Sequence, residues 1–189
     1  IALRTLRREF RRVDPEADAR VILVEAAEDV LGVYDSPLPA KARRQLEALG
    51  VEVRTGVPVE RVEDGEVQLD GERLEAGTIV WAAGVKASPL AKALGVPLHR
   101  SGRVPVEPDL SIAGYRDAFV IGDLAYLEQD GTPLPGLAPV AQQQGKHLAK
   151  QIVRGLRGRS RKPFRYLDLG SMATIGRSKA IAQLPGVRL

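Results

Sequence analysis

The residues best placed to do chemistry are Gly122 and Asp123, in the run Asp117-Ala-Phe-Val-Ile-Gly-Asp-Leu-Ala125. Phe119, Val120 and Ile121 read as a short buried strand of a parallel sheet, ended by a glycine. Glycine permits close approach of the backbone. Asp123 then sends a carboxylate off the carboxyl end of the strand, the edge where open α/β sheets take ligands. From Gly136 to Val153 the spacing predicts a helix, with Pro139 suited to its first turn. The amino end of such a helix offers free N–H groups and partial positive charge, which suit the electron-rich edge of a ligand. A strand that merely ends in an exposed aspartate would read the same way. The weight therefore falls on what accompanies it.

Glu25 is the second candidate. Arg20-Val-Ile-Leu-Val-Glu25 reads as a buried strand ending in an acid. At the end of the second strand of a dinucleotide fold, a carboxylate accepts hydrogen bonds from the adenosine ribose and disfavours a 2′-phosphate, so it would select NADH over NADPH. A surface glutamate at a strand end is the comparable alternative. A third apolar run, Thr78-Ile-Val-Trp-Ala-Ala-Gly84, reads as a core strand with Trp81 packed. Its small residues Ala82, Ala83 and Gly84 would let cofactor and backbone pass closely. His99 and His147 have no metal-ligand partner at suitable spacing, and Ser101, Ser111 and Ser171 lack a nucleophile elbow. Neither a metal site nor a hydrolase is predicted.

These residues need elements to hold them. Leu3, Leu6, Phe10 and Val13 recur at helical spacing before the loop Asp14–Asp18. Ser36 to Leu49 predicts a helix capped by Gly50, and Val51 to Thr55 the next strand. Val57 to Val62 and Glu66 to Leu69 predict two short strands separated by Asp64-Gly65, and Asp70-Gly71 a further turn. No two glycines in the chain are spaced G-x-G, so the phosphate-binding glycine loop of a dinucleotide fold is expected upstream of Ile1.

Composition sets outer bounds. The chain has 189 residues, 44% hydrophobic and 28% charged, as a globular protein with a real core would. Without cysteine it holds neither disulfide nor CxxC site. No apolar run reaches the roughly 20 residues that span a bilayer. The net charge of +4 is modest, and its clusters at Arg4–Arg12 and Arg154–Lys162 have no interleaved aromatics, so nucleic acid is not an expected partner. Attraction to an anionic membrane surface stays open.

Four segments in order carry a resemblance: Val80-Trp-Ala-Ala-Gly-Val-Lys-Ala-Ser-Pro-Leu90, Phe119-Val-Ile-Gly-Asp-Leu-Ala125, Pro139-Val-Ala-Gln-Gln-Gln-Gly145 and Gly170-Ser-Met-Ala-Thr-Ile-Gly176. Together the chain resembles the type II NADH dehydrogenases, single-chain NADH:quinone oxidoreductases, along essentially its whole length. The resemblance implies an α/β, Rossmann-like fold that binds two dinucleotides. It is incomplete here, with the second half of an NAD domain over 1–82, the second half of an FAD domain over 83–162, and the start of a carboxyl-terminal interface region over 163–189. It implies FAD and NADH as cofactors, electrons passing from NADH through the flavin to a membrane quinone. The isoalloxazine carries the chemistry and the protein orients it.

By the same resemblance, Gly122 and Asp123 bind the FAD ribitol region, and Ala141, Gln142, Gln143 and Gln144 lie at the flavin's pyrimidine edge. Gln143 borders the quinone, and Glu25 and Gly84 belong to the NADH side. Many members carry Gln where Pro139 stands; here that glutamine is lost and Gln142 is added nearby. Leu169 stands where bacterial members often have Lys. The full-length protein is expected at the cytoplasmic side of the cell membrane, bound through segments outside this chain, and a homodimer is left open. The rival readings are a related flavin reductase, ferredoxin-reductase-like or apoptosis-inducing-factor-like, and a nucleotide-binding remnant without catalysis.

Overall fold

The computed structural model describes residues 19–184 and 187–188. The amphipathic run Leu3–Val13 and the loop after it lie outside the described residues. The chain divides into two compact units, one running to Trp81 and resuming at Asp168, the other Ala82–Leu167.

In chain order the first unit opens with β1 (Val21–Glu25), α1 (Leu38–Glu47), β2 (Val51–Thr55), β3 (Val59–Glu63), β4 (Glu66–Leu69) and β5 (Glu72–Glu75). The second carries α2 (Leu90–Ala93), β6 (Val104–Pro105), β7 (Ser111–Ile112) and β8 (Tyr115–Phe119). A single 3-10 turn, Gly122–Leu124, leads to β9 (Ala125–Tyr126), β10 (Glu128–Gln129), β11 (Thr132–Pro133) and the long helix α3 (Ala138–Leu156). The chain then returns to the first unit with β12 (Ser171–Ile175), β13 (Lys179–Leu184) and β14 (Val187–Arg188).

The first unit is built on the β1–β2 pair, parallel from Val21↔Val51 to Glu25↔Thr55. Helix α1 covers it because Leu38 and Ala42 share one helical face and are buried. They meet Val30 and Val53 from below and Ile175 and Ile181 from the β12–β13 hairpin in one core. Arg43 and Glu47 pair at 2.9 Å on the outer face, one helical turn apart. Strands β3, β4 and β5 form a separate antiparallel meander, with turns at Asp64-Gly65 and Asp70-Gly71. The third of these strands was not expected from the sequence.

The second unit has two cores. Ala91, Val104, Ile112, Val120 and Ala125 form one. Leu110, Leu134, Val140 and Phe164 form the other, beneath α3.

Two sequence expectations are corrected here. Phe119 to Ile121 is not a parallel strand: β8 stops at Phe119 and pairs antiparallel with β7, through Ser111↔Phe119 and Ile112↔Tyr115. The parallel pairing falls later, at Val104↔Ala125 and Pro105↔Tyr126. The apolar run marked burial correctly at Val120, yet strand direction depends on a neighbour that local sequence does not name. Likewise Thr78 to Gly84 is no strand, and Trp81 is 66% exposed. A strand needs a partner for its N–H and C=O groups, and none of the described strands runs beside this segment.

Candidate functional site

Helix α3 organises the candidate site. Its buried face is set by Val140, Gln144 and Gln151, spaced so that all three point inward, with Leu148 partly buried between them. Pro139 sits in the first turn, and Leu137 starts the helix in extended conformation without a side-chain cap. The first N–H groups of the helix are therefore left for a ligand or for water.

This helix end packs against the turn at Gly122. The glycine has φ +67°, a conformation costly for other residues, and a Cβ placed on it would lie 3.4 Å from the Cβ of Ala141. Its N–H donates to Gln144 Oε1 at 2.6 Å. Asp123 is exposed and makes no hydrogen bond or ion pair among the described residues. A Cβ at Gly136 would stand 3.4 Å from its Oδ1, so the chain entering α3 passes close to this carboxylate.

The three glutamines take different partners. Gln144 is 2% exposed and turned inward to Gly122. Gln143 is committed at both ends of its amide: its Nε2 donates to Leu167 O at 2.9 Å, and its Oε1 accepts from Leu167 N at 3.0 Å. Gln142 is exposed and has no partner among the described residues. Further along, Gln151 accepts from Lys162 N at 2.9 Å, His147 Nε2 meets Lys162 O at 3.0 Å, and Arg154 donates to Ser160 O at 3.2 Å. From across, Gln129 brackets Tyr166 in the same bidentate way as Gln143 brackets Leu167. Residues 160–167 are thus strapped along α3 by side chains bonded to main chain. Sequence reasoning missed this strap, and its only signal was the density of amides on one helix.

The structure brings Gly122, Asp123, Ala141, Gln142, Gln143 and Gln144 together in the second unit. Glu25 ends β1 in the first unit, where its Oε1 accepts from Ala27 N at 2.9 Å, a local bond that fixes the carboxylate at the carboxyl edge of the parallel pair. Gly84, with φ +98°, lies in the exposed segment of the second unit. A groove of about 1420 Å³ lies toward the other end of α3. Its charges offset one another, Arg116, Arg159 and Arg161 against Glu107, Asp109 and Asp117, and none of the expected site residues lines it. No cluster of metal-ligating side chains occurs among the described residues.

A free carboxylate beside a glycine turn, next to an uncapped helix start, fits the polyol chain and electron-rich edge of FAD. The chain is 41% identical over 196 aligned residues to the type II NADH:quinone oxidoreductase Ndh of Mycobacterium tuberculosis, covering 97% of this chain and 41% of that protein. It is 37% identical to the type II NADH:quinone oxidoreductase of Staphylococcus aureus, covering 88% of this chain and 43% of the relative. The chain thus spans less than half the length of these relatives. Its fold matches NDH2 of Plasmodium falciparum, solved in complex with NADH, with a TM-score of 0.80 at 14% identity, over 90% of this chain and 51% of that one. Residues 10–145, well over half the chain, match the sequence profile of the pyridine nucleotide-disulphide oxidoreductases, and the protein belongs to that family.

Proposed function

We propose that this chain forms part of an FAD-dependent enzyme that passes electrons from NADH to a membrane quinone. The observation that carries the reading is the packing of the Gly122–Asp123 turn against the uncapped start of α3. Bound FAD would supply the two-electron chemistry that no side chain here can perform. The chain's own residues bind and orient. Asp123 accepts hydrogen bonds from ribitol hydroxyls, and the first N–H groups of α3 face the pyrimidine edge alongside Ala141 and Gln142. Gln144 holds the peptide of Gly122 from below, and Gln143 stands on the quinone side. Glu25 takes the adenosine ribose of NADH.

The relatives' names, type II NADH:quinone oxidoreductase, support quinone as the acceptor. Among the described residues no helix is long and apolar enough to cross a membrane. We place the enzyme peripherally, at the cytoplasmic face of the cell membrane.

The test is made on the purified protein that contains this sequence. It is expected to carry FAD, to lose its flavin colour on adding NADH and to regain it on adding menadione. Asp123→Ala is expected to lower flavin content severalfold in a protein that still elutes as one species. A colourless parent, or an Asp123→Ala protein with full flavin, would overturn the reading.

A further inference from the structure

Arg103 is half-buried and pairs with no carboxylate among the described residues. A covered guanidinium without a counter-charge is uncommon, so its partners tell what it is kept for. It ends the tight turn His99–Arg103, closed by His99 N donating to Arg103 O at 2.9 Å and Gly102 N to His99 O at 2.8 Å. Its Nε donates to Ser101 Oγ at 3.2 Å, and its Cζ lies 5.4 Å from the centre of the Tyr126 ring. That ring is held in turn by stacking on His99, with centroids 3.9 Å apart, and by its hydroxyl, which donates to Glu128. Arg103 Nη1 then reaches across to Leu134 O at 3.2 Å.

Leu134 is the last fixed point before the candidate site. Its side chain is buried with Leu110, Val140 and Phe164, its N–H donates to Leu127 O at 2.9 Å, and its carbonyl takes the Arg103 bond. Beyond it Pro135, Gly136 and Leu137 are exposed, and their main-chain bonds among the described residues are local, Leu137 N to Pro135 O and Ala141 N to Leu137 O. Among the described residues, Arg103 is the one side chain bonded to the main chain of this entry segment. Gly136 passes Asp123 so closely that a Cβ there would stand 3.4 Å from Oδ1. We propose that Arg103 is a positioning residue for the flavin subsite. It fixes Leu134–Gly136 so that the Asp123 carboxylate and the first N–H groups of α3 meet one ligand at one spacing. The assignment rests on the functional reading above. The planar fork of arginine suits the task, since it donates in two directions while its face rests on an aromatic ring. Lysine would keep the charge and one bond, without the second bond or the stacking.

The experiment dilutes the FAD-loaded protein containing this chain and reads released flavin by its fluorescence, which gives the FAD dissociation constant without turnover. Arg103→Met should bind FAD about tenfold more weakly, the equivalent of one charge-assisted hydrogen bond. Arg103→Lys should lose about threefold, since it keeps one donor of the fork. Arg165→Met, which removes a cation from the exposed pair with Asp130, should bind as the parent does. Added to Asp123→Ala, Arg103→Met should cost less than about twofold more, because both residues act on one spacing and their effects do not add. Amide exchange at saturating FAD, followed by mass spectrometry, should quicken over residues 134–138 in Arg103→Met and keep the parent's rate over residues 144–156. Where Arg103→Met does not fold, Arg103→Lys takes its place in both comparisons. Parent-like affinity in the Arg103 variants, or losses that add in full to that of Asp123→Ala, would overturn the assignment alone. Exchange raised throughout α3 would overturn it too, by showing a general loss of stability. A parent that carries no FAD would overturn the functional reading and this assignment with it.

Discussion

Asp109 shows how one half-buried ion pair fastens the strap. Arg161 Nε donates to Asp109 Oδ2 at 2.7 Å, and Ser111 Oγ to Oδ1 at 2.6 Å, with both ionic side chains largely covered. The guanidinium also lies 5.0 Å from the centre of the Phe119 ring. Burial alone would push the Asp109 pKa up, but the hydrogen bonds from Ser111 and Arg161 outweigh it and hold the carboxyl below its ordinary 3.8. A depressed pKa in the folded state means that the unfolded chain takes the proton first as pH falls. The stabilisation is therefore whole above about pH 4 and disappears as pH drops through the folded-state value. Asp109→Asn leaves Arg161 covered and unpaired, and is expected to cost about 1.5–3 kcal/mol at neutral pH. Chemical denaturation from pH 7 to pH 3 should show the parent's advantage shrinking toward the acid end; a constant gap would assign the effect to packing. At the other candidate carboxylate the readout is selectivity. Glu25→Arg is expected to lower kcat/KM for NADH at least tenfold and raise it for NADPH, measured on the FAD-loaded protein. Unchanged selectivity would remove Glu25 from the nucleotide site.

Helix α3 does at the element scale what a sheet does elsewhere: it pairs with main chain, through glutamine amides instead of backbone. Gln144 is the most buried of these, and its acceptor oxygen is what the Gly122 N–H bonds. Gln144→Leu keeps the volume and leaves that N–H without its acceptor, at a cost of about 1–3 kcal/mol. Gln144→Glu keeps an acceptor there. Thermal melts are expected to order the proteins as parent, Glu variant, Leu variant, with flavin content following the same order. Equal melts for parent and Leu variant would show the bond to be dispensable. The helix itself was legible in the sequence because its apolar spacing and Pro139 are local features. The glycine turn and its exposed carboxylate were legible for the same reason. The strap was not, since its order comes from amides reaching residues 11 to 37 positions away, as Gln151–Lys162, Gln143–Leu167 and Gln129–Tyr166 do. Strand direction at β8 and the unpaired state of 78–84 were hidden likewise, because pairing is a property of two segments and periodicity a property of one.

At the scale of the whole chain, exposed apolar residues occur from Val21 to Leu184, and one group of them lies close together in sequence. Val80 is 81% exposed, Trp81 66% and Val85 87%, in a run of backbone that joins no strand. Scattered exposed apolar residues are ordinary, but several together with unpaired backbone offer a surface on which another chain can add. A polypeptide of residues 1–189 by itself is therefore expected to self-associate as its concentration rises. Trp81 is the only tryptophan, so it reports on this segment without labelling. At low concentration its emission should be that of a water-exposed indole and be quenched readily by acrylamide. At high concentration it should shift to shorter wavelength and lose access to quencher, in step with the rise in mass seen by light scattering. Trp81→Lys together with Val85→Lys removes two of the three large apolar groups and adds like charges, and should hold the chain as a single species over the same range. Blue-shifted, unquenched Trp81 emission at the lowest concentration, or association undiminished in the double variant, would show that a different surface drives it.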